Sequence, residues 1–178
     1  MSSAKKQIAL ISTGGTIEKT YDELSGVLAN KISVLDLMLA SLELRGVEVM
    51  RVQLMNKDSL EMTDADHALI ADTAQRCARA ADGVVVVHGT DRLAESGEAL
   101  VATFGTPRHP VVFTGAMRPY ELRATDAVQN LTEALLAVQL LPPGVYVCMH
   151  NQVLTFPGVR KDRQLGTFVR DVPPDAVP

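Results

Sequence analysis

The sequence predicts an α/β fold, a single domain built on a doubly wound, Rossmann/flavodoxin-like, mainly parallel sheet. Three observations predict it. Five short apolar runs alternate with four stretches in which apolar residues recur at the 3.6-residue helical period. One run, residues 84–87, is four consecutive valines, the pattern of a strand covered on both faces. Two of the runs give out into turns rich in glycine and hydroxyl groups, the place where open parallel sheets bind ligands.

Taken in order, residues 7–13 read as a strand that stops at Gly14-Gly15. Residues 14–31 form a polar loop of unusual length, as functional lids often do. Residues 33–41 read as a short helix with Ser33 as N-cap, and 47–55 as the second strand. Thr63 opens the next helix with Asp66 three positions on, a capping-box variant, and Gly83 ends it after about Ala80. The valine strand follows, then a helix presenting Leu93, Gly97, Leu100, Val101 and Phe104 on one face. Residues 110–114 are the fourth strand and 115–120 a turn. The last helix shows Val128, Leu131, Leu135 and Val138, and Pro142-Pro143-Gly144 breaks it before a fifth strand at 145–149. Residues 152–155 pair as a short extra strand. Beyond them the chain is less regular, with 165–178 as a tail.

The whole chain, residues 1–178, suits one domain with a sizeable core, being 47% hydrophobic and 21% charged. A net charge of −4, with seventeen scattered basic residues, argues against a nucleic-acid partner. No apolar run approaches the roughly 20 residues of a membrane span, and residues 8–11 are too short for a signal-peptide core. The cytoplasm is the default compartment. Cys77 and Cys148 fall in a helix and a strand and are expected reduced and buried. No His, Cys or carboxylate spacing suggests a metal site. A layer of this kind leaves apolar surface that a second copy would cover, so a homo-oligomer, a dimer or higher, is expected.

The chemistry concentrates at the strand ends. Thr13, beside Gly14 and Gly15, is a hydroxyl where the backbone turns sharply, although the glycines alone would do no more than supply positive φ. A phosphate cradle is disfavoured, because neither Gly-Lys-Ser/Thr nor Gly-x-Gly-x-x-Gly is present. Thr90-Asp91, after Gly89, reads either as an N-cap or as a hydroxyl with a carboxylate for a substrate ammonium. Asp58-Ser59 adds another hydroxyl or another capped turn. Tyr21 brings a phenol towards Thr13 or packs the loop down. His67 and His109 read as surface residues, and His88 and His150 as structural ones at strand ends. Arg118, Arg123 and Asp126 are expected to form ion pairs after the fourth strand.

Thr13-Gly14-Gly15-Thr16-Ile17, His88-Gly89-Thr90-Asp91 and Thr114-Gly115-Ala116-Met117-Arg118-Pro119 follow one another at fitting separations. Together they resemble the amino-terminal domain of the bacterial-type L-asparaginase/glutaminase family, over residues 7 to about 165. The resemblance implies Thr13 as nucleophile, Tyr21 as the lid tyrosine that activates it, and Thr90 as a second catalytic threonine sharing a proton with Lys161. It implies Ser59 and Asp91, with Gly14, Gly89 and Ala116, around the substrate's head group, and oxyanion donors near Thr90 and Ala116. Leu60 stands where many relatives carry a polar side chain. The resemblance implies a second, carboxyl-terminal domain in the family, which lends an acidic contact from a neighbouring subunit; this chain is expected to correspond to the amino-terminal domain only. The expected activity is hydrolysis of L-asparagine, or a related small amide, to L-aspartate and ammonia through a threonine acyl-enzyme, with no cofactor. The rival readings are an amino-acid-binding module that keeps the pocket and a nucleotide-binding flavodoxin-like protein.

Overall fold

The structure, a computed structural model, describes residues 4–30 and 33–171. Its frame is a six-stranded sheet in the order β4-β1-β5-β6-β7-β8, from β1 (Lys6–Gly14), β4 (Val47–Lys57), β5 (Gly83–Val87), β6 (Val111–Thr114), β7 (Val145–Met149) and β8 (Gln152–Thr155). The first five are parallel, and β8 turns back antiparallel on β7 at the edge. Chain order reverses at β1, which lies between β4 and β5, so the crevice beyond β1 and β5 is where such a sheet accommodates ligands.

Four helices cover the sheet: α1 (Leu35–Ala40), α2 (Asp64–Ala80), α3 (Leu93–Phe104) and α4 (Ala127–Leu140). The core is split by the sheet into two layers. One gathers Ile70, Leu93, Leu100 and Phe113 under α2 and α3, and the other gathers Leu10, Leu35, Val85 and Leu131 under α1 and α4. Every residue of β5 is buried, which is why that strand carries no polar alternation.

One signal between near neighbours in the chain agrees with the structure. Thr63 and Asp66 form the complete capping box, each side chain accepting from the other's backbone N–H. Bonds from the Thr63 N–H and from Lys57 hold the Asp66 carboxyl down to about 2. Other expectations need correction. Ser33 is not the N-cap of α1: Val34 takes that place without a side-chain bond, while the Ser33 hydroxyl donates to Glu18 and accepts a long bond from Leu35 N–H at 3.4 Å. Gly83 does not close α2. The helix ends at Ala80 with Ala81 as its C-cap, and Gly83 begins β5, where a Cβ would lie 2.6 Å from a Val138 methyl. Cys77 is only half-buried, while Cys148 is buried; both are free.

The long loop contains a 3₁₀ turn at Thr16–Glu18 and a hairpin of β2 (Thr20–Asp22) and β3 (Val27–Ala29). Part of the expected tail is a strand as well: β9 (Val159–Asp162) and β10 (Thr167–Arg170) form an antiparallel hairpin. Among the described residues, no helix is long and apolar enough to cross a membrane.

Candidate active site

Three turns converge on His88 and Gly89. A Cβ on Gly15 would overlap both Cα and N of Gly89, so the turns after β1 and β5 are in backbone contact. A Cβ on Gly89 would lie 2.5 Å from the Ser59 hydroxyl, which brings in the turn after β4. On Gly115 it would overlap the His88 carbonyl, which brings in the turn after β6 beside buried Ala116. Glycine is required here for close approach, and at Gly15 also for its φ of 84°. Gly15→Ala is therefore expected to push the two turns apart and cost roughly 1–3 kcal/mol. A urea titration would check the cost.

The first turn is anchored by its own loop. Gly15 N–H donates to the Lys57 carbonyl at 2.9 Å, and Asn30 Nδ2 donates to the Gly15 carbonyl at 2.8 Å. Glu18, a buried acid not anticipated from the sequence, accepts from Gly14 N–H at 3.2 Å. Burial raises its carboxyl pKa, against the Ser33 hydrogen bond and the Arg51 charge that favour ionisation. Nothing in the local sequence distinguishes this glutamate from a solvated loop acid.

Thr13 sits where the ends of β1 and β5 meet. It is 0% exposed, lies at a register shift between Ser12 and Gly14, and its hydroxyl donates to the Val87 carbonyl at 2.9 Å. In this conformation the hydroxyl stitches the two strands together, and the contact of Gly15 with Gly89 closes beside it. Thr16, directly after the two glycines, is partly exposed, and its hydroxyl has no hydrogen-bond partner among the described residues. The first turn thus offers one hydroxyl held at the junction of the strands and a second one free at its rim.

The second turn carries the strongest electrostatic feature. Lys161, on β9, reaches Thr90 Oγ1 at 2.9 Å and Asp91 Oδ1 at 3.0 Å. Arg163, which the sequence did not single out, also pairs with Asp91 Oδ1 at 3.3 Å. Thr90 and Asp91 do not cap α3; Arg92 precedes the helix, without a side-chain cap. Lys161 and Arg163, with Arg118 and His150, line a cavity of about 490 Å³.

Tyr21 is 58% exposed on β2, and no hydrogen bond joins its phenol to Thr13 among the described residues. Its backbone N–H donates to the Glu121 carboxylate at 2.6 Å. Leu60 is also exposed beside the turn that holds Ser59. His150 and Arg118 both reach Asp126, at 2.8 and 3.9 Å, whereas Arg123 makes no ion pair among the described residues. Burial opposes ionisation of Asp126, but N–H bonds from Met117 and Arg118 and the His150 bond hold its carboxyl below the usual range. His67 is not a surface residue. It is buried, with Nδ1 2.7 Å from the Ser96 hydroxyl, and its ring stacks on that of His88.

His88 is fully buried, and burial pushes its pKa down to about 4, reinforced by His67 and Arg92 against a Gly89 hydrogen bond. A ring that stays neutral when folded but gains a proton at about 6.5 when unfolded makes unfolding take up a proton. This part of the stability is complete above about pH 6.5 and fades as pH falls towards 4. Urea midpoints at pH 7 and pH 5 are expected to drop more in the native protein than in His88→Asn. Equal drops would contradict the assignment.

Fold and site together define a layered α/β protein whose crevice collects hydroxyls, a lysine and a carboxylate at the strand ends. The family model described as "Asparaginase, N-terminal" matches residues 7–167, and the chain belongs to that family. Over 145 residues it is 39% identical to one subunit of the glutamyl-tRNA(Gln) amidotransferase of Haloquadratum walsbyi, covering 80% of this chain and 33% of that one. It superposes on the thermostable L-asparaginase from Thermococcus kodakarensis with a TM-score of 0.83 at 30% identity, covering 92% and 51%. The probable cytoplasmic L-asparaginase from Campylobacter jejuni gives 0.76 at 30%, covering 93% and 52%. The chain thus spans a third of the amidotransferase polypeptide and about half of the two asparaginases.

Proposed function

We propose that this protein hydrolyses the side-chain amide of L-asparagine to L-aspartate and ammonia. The observation that carries the reading is the Lys161–Thr90–Asp91 cluster, held against the turn that bears Thr13 and Thr16. Membership of the asparaginase family supports it. So do relatives named as an L-asparaginase and as part of an amidotransferase, both names of amide-nitrogen chemistry.

In this reading Thr13 attacks the amide carbon, after its hydroxyl has turned away from the Val87 carbonyl. Tyr21 supplies the replacement partner for that hydroxyl once the β2–β3 hairpin folds over the substrate. The tetrahedral intermediate expels ammonia and leaves a β-aspartyl ester, which water then hydrolyses to free the threonine. Lys161 and the Thr90 hydroxyl pass the proton released by the attacking Thr13 hydroxyl on to the departing nitrogen, which leaves as ammonia. The Ser59 hydroxyl receives the substrate's α-carboxylate, and Asp91 its ammonium, displacing part of the Lys161 and Arg163 pairing. N–H groups beside Thr90 and Ala116 face the oxyanion. None of these steps calls for a cofactor. A second reading gives the attack to Thr16, and the observation in its favour is its partly exposed hydroxyl, which has no partner among the described residues.

Ammonia release from L-asparagine and L-glutamine by the purified chain tests the proposal. Release from L-asparagine, lost in Lys161→Met, is expected. Saturable L-aspartate binding without ammonia would overturn the hydrolytic reading and leave an amino-acid-binding module.

A further inference from the structure

Beneath the point where the turns meet lies a buried polar chain that the chemistry above does not use. It runs from His67 on α2 through Ser96 on α3 to His88 at the end of β5. His67 Nδ1 is 2.7 Å from Ser96 Oγ, His88 Nε2 is 2.8 Å from the same oxygen, and His88 Nδ1 is 2.8 Å from the Gly89 carbonyl. Ser96 and His88 are completely buried.

The partners fix every proton. A carbonyl only accepts, so His88 Nδ1 carries the hydrogen. The neutral ring then leaves Nε2 as an acceptor, and the Ser96 hydroxyl must donate to it. With its one proton committed, Ser96 Oγ accepts from His67 Nδ1–H. His67 Nε2 is then left without a proton, and it is buried with no hydrogen-bond partner among the described residues.

We propose that His67, Ser96 and His88 form a one-directional hydrogen-bond relay that fixes the Gly89 carbonyl and so positions the turn bearing Thr90 and Asp91. The role in turnover rests on the amide-hydrolysis reading, whereas the relay itself does not. Gly89 is the residue that Gly15 and Ser59 both abut, so holding its peptide plane sets the distance between all three turns. The three residues are positioning groups and touch no substrate. Bonds in such a chain polarise one another, which stiffens the carbonyl more than a lone histidine would.

Long-range ¹⁵N–¹H spectra of imidazole-labelled protein at pH 7 read the relay directly, with the four histidines assigned by single substitutions. Both His67 and His88 are expected as the Nδ1–H tautomer. An Nε2–H signature at His88 would overturn the proposal. Ser96→Ala is expected to shift the amide resonances of residues 89–91 without any substrate present, and to lower kcat by on the order of 10–100-fold while KM changes less. His67→Asn keeps a donor where Nδ1 stood and should restore both readouts, whereas His67→Leu should behave as Ser96→Ala does. Turn amides unmoved in Ser96→Ala would contradict the positioning role. If the native protein releases no ammonia, the tautomers and the turn amides still decide the relay, and only the hydrolytic reading fails.

Discussion

Thr13→Val is expected to lose ammonia release by roughly 10⁴-fold or more, the scale on which removal of a nucleophile is felt in acyl-transfer enzymes. It also loses the bond to the Val87 carbonyl at 2.9 Å inside the sheet, at a cost of about 1–2 kcal/mol. Thr13→Ser keeps both the bond and the attacking oxygen and should retain measurable turnover. Thr16→Ala should stay within about 0.5 kcal/mol of native stability, because its hydroxyl has no partner among the described residues, and should lose less activity than Thr13→Val. Steady-state ammonia assays and urea titrations on the three variants separate the roles. If Thr13→Val turns over normally while Thr16→Ala is stable and dead, the nucleophile is Thr16 and Thr13 only joins the strands.

Lys161→Met is expected to lower kcat by about 10²–10⁴-fold, the usual contribution of a positioned general base. Among the described residues, Lys161 is the side chain hydrogen-bonded to the Thr90 hydroxyl. Lys161→Arg should not restore activity, since a guanidinium does not give up a proton in this pH range. Stability should change by no more than about 1 kcal/mol, because Asp91 keeps its pairing with Arg163. Activity within threefold of native in Lys161→Met would remove the lysine from the mechanism. A parallel loss in Arg163→Ala would move the functional cation two residues along.

How much of the fold and site is legible in the sequence depends on the range of the interaction that fixes each residue. The buried strands can be read because burial on both faces leaves an unbroken apolar signature, as in β5. The capping box of Thr63 and Asp66 can be read because its partners lie three residues apart. The hairpin of β9 and β10 cannot, for it is made of Val159-Arg160-Lys161-Asp162 and its partner, with no apolar alternation to mark it. Only resemblance therefore points to Lys161, and its contact with Thr90 emerges when the hairpin folds back over α3. His67 reads as a surface residue because the oxygen that satisfies it sits on Ser96, in a different helix. The two threonines of the first turn look alike in sequence. What separates them is a contact distant in the chain: Thr13 ends inside β1 with its hydroxyl on the Val87 carbonyl of β5, while Thr16 lies past the glycines at the rim.

A crystal of the chain soaked with L-aspartate tests the central claim most directly. With the crevice beyond β1 and β5 as a single amino-acid site, the α-ammonium should lie within hydrogen-bond distance of Asp91, the α-carboxylate against Ser59, and the side-chain carboxylate between Thr13 and Thr90. Density for the ligand at any other place, with these four residues undisturbed, would contradict the account.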